Sequence, residues 1–332
     1  MGSCRGKIKK GNMKKIILTG LIAVSVQMAQ GALITNITSG VWGSGSTWVG
    51  GVVPGAADVG VINSNITSSS VETSVDGFRI GSTANGSLVM SSGSRITTTN
   101  GIFVGQVAGR TGTFVIGSGA VYSNAAGVVR ITNAKNTTGI MTVDGGKVYT
   151  FGLMLGASTV TNNTAKLILT NGASLTQFGS TALTMNTGTN SSSDILIYKD
   201  STLITRNIDF NTTSPGAKQN VSIFDGAKLT LTASDESVAF VFTHPDAKVW
   251  YEGGTIIFEG CNSGAGFAAF TNVWNGWVDS GKVDSAKYSD AQLKQKLIFD
   301  GVHNYAVVPE PVALGLFIIG GMSVILIRCQ LW

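Results

Sequence analysis

Between residues 86 and 258 the apolar positions fall into one frame that returns about every 27 residues. Gly112 to Tyr122 aligns without a gap on Gly139 to Tyr149, and the same frame recurs around positions 93, 119, 146, 172, 200, 226 and 254. Six of these positions are Gly and the seventh is Asp200. Five residues before them stand Leu88, Phe114, Met141, Leu167, Ile195, Val221 and Val249, and three before them Met90, Ile116, Val143, Leu169, Ile197, Ile223 and Tyr251. Apolar residues two apart form one face of a strand. A second strand begins at Ile96, Val121, Val148, Leu175, Leu203, Leu229 and Ile256, and a third, shorter one is expected at 102–104, 129–131, 153–155, 183–185 and 208–210. Gly suits the intervening turn because it takes positive φ without strain, and Asp tolerates the same region.

Three strands per repeat with no helix between them predict an all-β chain folded as a right-handed parallel β-helix. It would have seven or eight coils, with Val59 to Ile66 supplying the extra one. A single coil cannot bury its apolar face, so stacking supplies the core. Seven coils at about 4.8 Å give a rod of about 34 Å. The frame also sets Lys166 beside Asp194 in adjacent coils, a surface ion pair worth at most about 1 kcal/mol. After Glu259 the repeat stops. Residues 261–306, with Trp274, Trp277, a short helix over 290–297 and a last strand over 297–300, are expected to cap the open sheet ends.

Composition supports strands joined by turns: Ser and Thr make up about a fifth of the 332 residues, and Gly accounts for 44. The net charge of +5 comes from the ends. Residues 1–31 hold six basic side chains and no acid, and the tail holds Glu310 and Arg328, so 32–308 carries 16 basic and 17 acidic residues, a net charge of −1. No basic surface for nucleic acid is expected. Lys14 and Lys15, the apolar run 16–26 and the small residues Ala29 and Gly31 form a secretory signal peptide with its signal-peptidase site, starting at either Met1 or Met13. At the other end sixteen uncharged residues, 312–327, follow Pro309-Glu310-Pro311 and precede Arg328. Such a helix spans about 24 Å, and Arg328 would stay cytoplasmic. These physical features alone fit a sorting tail or an ordinary C-terminal membrane anchor. The chain thus divides into a signal peptide (1–31), a β-helix (32–260), a cap (261–306) and a tail (307–332).

The Pro-Glu-Pro tripeptide, short apolar span and terminal Arg328 resemble the PEP-CTERM sorting signal of Gram-negative bacteria. The resemblance covers 308–332. It implies export across the inner membrane and transient anchoring there by the tail. It also implies recognition of Pro309, Glu310, Pro311 and Arg328 by an exosortase, and residence at the cell surface or in the extracellular matrix of organisms that make exopolysaccharide. A single Arg stands where the family often has a basic cluster. The segment Thr47 to Asp58, with Trp48 and Pro54-Gly55, resembles the start of autotransporter-like repeat passengers, as do the repeats, although the C-terminal barrel of that family is missing.

Little chemistry accompanies this architecture. Of three cysteines, Cys4 and Cys329 lie in the two terminal segments, leaving Cys261 without a disulfide partner, and His244 and His303 are far apart, so no cofactor or metal is expected. Asp209 and Asp235 each stand nine residues after their turn position, with Glu236 adjacent. In register, the two carboxylates would stack about 5 Å apart, the separation of a retaining glycosidase pair. The expected function is a non-enzymatic structural or adhesive role at the surface, in contact with exopolysaccharide. The alternative is a secreted polysaccharide lyase or glycoside hydrolase.

Overall fold

The computed structural model describes residues 31–157, 159–211, 214–233, 238–259, 266–299 and 304–309. It is a parallel β-solenoid of about eight turns. The first face stacks ten described strands, from Gly40–Val41 through Gly86–Met90, Thr111–Ile116 and Thr164–Thr170 to Val283–Asp284. The second and third faces share one continuous sheet because two long strands, Val121–Ile131 and Lys147–Leu155, bend from one face into the other.

The register of the first face follows the sequence frame throughout. Leu88, Phe114, Met141, Leu167, Ile195, Val221 and Val249 are successive Cα partners, and all are fully buried. The second face departs from the frame at one coil. Phe114 and Met141 lie 27 residues apart, yet Tyr122 pairs with Val148, only 26 later. The turn at Asp144–Lys147 is one residue shorter than its predecessor, so the positive φ sits at Gly145 rather than Gly146. The last repeated turn shortens likewise and puts it at Gly253 rather than Gly254. A one-residue slip exchanges the two sides of a strand. The inward residue is therefore Tyr122, not Val121, while Tyr149, its counterpart in the gapless alignment, is 42% exposed. Asp200 takes φ 63°, as expected.

Where the second face turns into the third, strand-to-strand bonding does not serve every carbonyl, and a buried polar ladder takes over. Thr98, Asn124, Thr150, Gln177 and Thr205 occupy this corner in successive coils. Thr150 Oγ1 donates to the Gly152 carbonyl at 2.9 Å and Gln177 Nε2 to that of Thr181 at 2.8 Å. Asn124 Nδ2 reaches Thr98 Oγ1 at 2.9 Å, and Thr98 Oγ1 lies 2.9 Å from the Tyr122 hydroxyl. Burial pushes the Tyr122 phenol well above its ordinary pKa, so it stays neutral and remains a donor.

Both ends are closed by aromatic side chains. Trp42 and Trp48 cover the N-terminal coil, edge to face at 5.1 Å, with Trp48 Nε1 donating to the Trp42 carbonyl. At the other end the helix α1 (Gly266–Asp279) was not anticipated from the sequence, where its Asn and Gly residues mask the helical period. Its residues Phe270, Trp274 and Val278, four apart, are buried. The expected short helix forms as α2 (Asp290–Gln295), started by a capping box between Ser289 and Gln292. Leu297–Phe299 follows, and Asn304–Val307 then runs antiparallel to both it and Thr255–Glu259, covering the edge of the last full coil.

Replacing Asn124 with Leu removes its bond to Thr98 and leaves the carbonyl of Asn100 unserved in the corner. We expect a loss of about 1–3 kcal/mol in denaturant unfolding of the Asn124→Leu protein. An unchanged midpoint would show that the ladder is dispensable.

Candidate functional site

Of the carboxylate pair expected from the sequence, only Asp209 lies among the described residues. Asp209 lies at the centre of Ile208–Phe210 on the third face, where its Cα partners are Thr184 and Val241. Its predicted partner position is displaced because two residues connect the second and third strands in the coil of Asp209, whereas eight connect Leu231 to Phe240 in the next. Asp235 and Glu236 fall in that longer connection, outside the described residues. Asp209 has no ion-pair or hydrogen-bond partner for its carboxylate among the described residues, and desolvation holds its pKa above the ordinary value. Lys166 and Asp194 are register partners, as expected, but the ion pair is not formed; Asp194 instead accepts from Asn220 Nδ2 at 3.0 Å. His244 is buried, with Nδ1 accepting from the Asp246 amide and Nε2 against the Ser214 carbonyl. Cys261 and His303 lie outside the described residues, and among the described residues no three His, Cys, Asp or Glu side chains gather as metal ligands.

The terminal signals are reached only at their inner edges. Ala29, Glu310, Pro311, Arg328 and the apolar stretch 312–327 lie outside the described residues, and among those described no helix is long and apolar enough to cross a membrane. Gly31 directly precedes Ala32, whose amide donates to Asp58 Oδ1 at 2.9 Å, while Asp58 Oδ2 accepts from the Gly55 amide at 2.9 Å. Pro309 follows the last strand immediately. Its carbonyl accepts from Lys296 Nζ, and the Val308 amide donates to the Lys296 carbonyl at 3.2 Å. Lys296 Nζ also sits 3.9 Å above the ring of Tyr288.

A depression of about 250 Å³ opens on the side of the solenoid near its N-terminal end. Its long side is a ladder of outward side chains on the third face: Arg79, Phe103 and Arg130, each the Cα partner of the next. Asp76 and Asn100 form the opposite side, joined by Asn100 Nδ2 donating to Asp76 Oδ1 at 2.6 Å. Gly77 and Gly101 leave bare backbone between the two sides; a Cβ on either would come within 3 Å of a carbonyl oxygen in the next coil. Val59 and Val128 close the ends. The Arg130 guanidinium lies 5.6 Å from the Phe103 ring centroid and donates from Nη1 to Asn133 Oδ1 at 3.1 Å. Its Nε is buried with no acceptor, and the Arg79 guanidinium has no hydrogen bond or ion pair with any described residue.

The two basic residues thus face one carboxylate already engaged by an amide. Phe103 and Arg130 fall in third strands that the sequence located, at their central, outward positions. Arg79 was missed because the glycine frame begins at position 93, one coil later. The chain matches no protein-family model, no curated protein and no solved structure.

Because Asp209 resists ionisation, its charge opposes folding at neutral pH, and that cost disappears as pH falls through its raised pKa. Asp209→Asn is expected to raise Tm at pH 7 and to lose this advantage as the pH approaches 4. A lower Tm at pH 7 would mean that the carboxylate has a stabilising partner.

Proposed function

We propose that the chain is an exported, exosortase-sorted surface or matrix protein, whose solenoid serves as a non-enzymatic scaffold in contact with exopolysaccharide. The observation that carries this proposal is the capped solenoid, whose described residues run from Gly31 to Pro309, up to the two sequences read above as a secretory leader and a Pro-Glu-Pro tail. A rod of stacked coils offers a long, rigid, nearly neutral surface rich in Ser, Thr and Asn. Such a surface suits many weak hydrogen bonds to a hydroxylated polymer.

The inner edges of the two signals support the processing steps. Cleavage after Gly31 would free an α-ammonium at Ala32 next to the Asp58 carboxylate, converting an amide hydrogen bond into a charge-assisted one. At the opposite end, strand Asn304–Val307 and the Lys296 contact bring the folded domain up to Pro309, so the tail begins where the cap ends. Exosortase would then meet its motif against a finished domain. In the scaffold itself, the strand positions beside Asp209 are Thr184 and Val241, neither of them a carboxylate, which favours the non-enzymatic reading.

Expression in an exosortase-bearing host should yield a surface or matrix protein whose N-terminal sequence begins at Ala32. Deletion of the exosortase, or substitution of Pro309, Glu310 and Pro311 by Ala, should trap the unprocessed chain in the inner membrane. Identical mass and location with and without exosortase would overturn the sorting assignment.

A further inference from the structure

We propose that the depression between Arg79, Phe103 and Arg130 is a binding site for a carboxylated sugar unit of an acidic polysaccharide. This rests on the surface-scaffold proposal above and names the class of glycan that the scaffold would hold. Three features of the site converge on that chemistry. Among the described residues Arg79 has no hydrogen-bond or ion-pair partner, and Arg130 commits Nη1 to Asn133 and buries Nε, which leaves the Arg79 fork and Arg130 Nη2 as donors for an incoming anion. A guanidinium fork matches a carboxylate bidentately. Phe103 lies between the two arginines in the ladder and offers an apolar ring against which the C–H face of a sugar can rest. Asp76 and Asn100, opposite, hold acceptor and donor groups suited to hydroxyls.

Spacing and charge narrow the class further. Arg79 and Arg130 stand two coils apart, about 10 Å at the strand spacing of a sheet. That separation suits anions carried at intervals along a polymer rather than a continuous run of phosphates. The solenoid and cap have a net charge near zero, so no broad positive field would draw a densely charged chain such as a nucleic acid. Gly77 and Gly101 keep the floor low enough for a ring to lie between the two sides. A neutral glycan would leave the two guanidinium groups with the single Asp76 carboxylate as counter-charge.

Calorimetric titration of the full chain in detergent tests the assignment, with trigalacturonate, its methyl ester and a sulfated neutral trisaccharide as probes. Trigalacturonate is expected to bind, with the ester and the sulfated sugar each about tenfold weaker. Arg79→Gln and Arg130→Gln should each weaken trigalacturonate by about tenfold, Phe103→Leu by a smaller factor, and Arg79→Lys should recover part of the loss. All three side chains project outward, and unchanged thermal unfolding would separate lost binding from lost folding. Equal affinity for acid and ester, or full affinity in both Gln variants, would overturn the site. Equal or tighter binding of the sulfated sugar would replace the carboxylate with a sulfate ester as the anion recognised. A chain that is sorted normally yet binds no trigalacturonate overturns this site alone, whereas a chain that is not sorted overturns the scaffold proposal on which it rests.

Discussion

Every coil of this protein depends on its neighbours for main-chain hydrogen bonds. In a parallel solenoid each strand's amides and carbonyls are satisfied by the coils above and below, and no coil contains a complete sheet of its own. Three consequences follow. The inward residues must match from coil to coil, as the column from Leu88 to Val249 does. The corners, where bonding between strands lapses, need side chains to serve the carbonyls, which Thr150 and Gln177 do. The ends must be closed, because an exposed parallel edge is a template for another chain. Trp42 and Trp48 close one end. At the other, Phe270 of α1 rests on Phe258 at 4.8 Å and on Tyr305 at 4.6 Å, while Trp274 Nε1 donates to the Leu293 carbonyl.

The period-two spacing of large apolar residues made the first face legible from the sequence, since burial on one side of a strand leaves that trace in any context. The second face was legible except at Val121, because a turn shortened by one residue leaves composition unchanged while reversing inside and outside. Tyr122 and Tyr149 look equivalent in sequence and point opposite ways. The polar corner ladder was hidden for a different reason. Thr and Asn are common everywhere in this chain, and nothing local distinguishes Asn124, buried and bonded to Thr98, from an exposed turn residue. Loop register was the least legible: six added residues between Leu231 and Phe240 make Val241 the Cα partner of Asp209.

The candidate site illustrates what a regular scaffold can do with irregular decoration. The inward positions are constrained by packing, while outward positions on the third face pass from Arg79 through Phe103 and Arg130 to Met154, Thr184, Asp209 and Val241. The backbone fixes their spacing, so a ligand that repeats along its own length can meet side chains at multiples of one coil. Rigidity matters here, since groups already held in place lose little freedom on binding. The arginine end of this ladder is cationic and the Asp209 end is acidic, which gives the third face a direction along the rod. On the reading proposed above, such a scaffold would engage a polymer by alignment and leave its bonds intact.

The most direct measurement of that account is the length distribution of a carboxylated polysaccharide, followed by size-exclusion chromatography with light scattering during prolonged incubation with the purified full-length protein. A scaffold predicts co-elution with the polymer and no change in polymer mass. Progressive shortening, with new reducing or unsaturated ends, would contradict it and make the protein an enzyme.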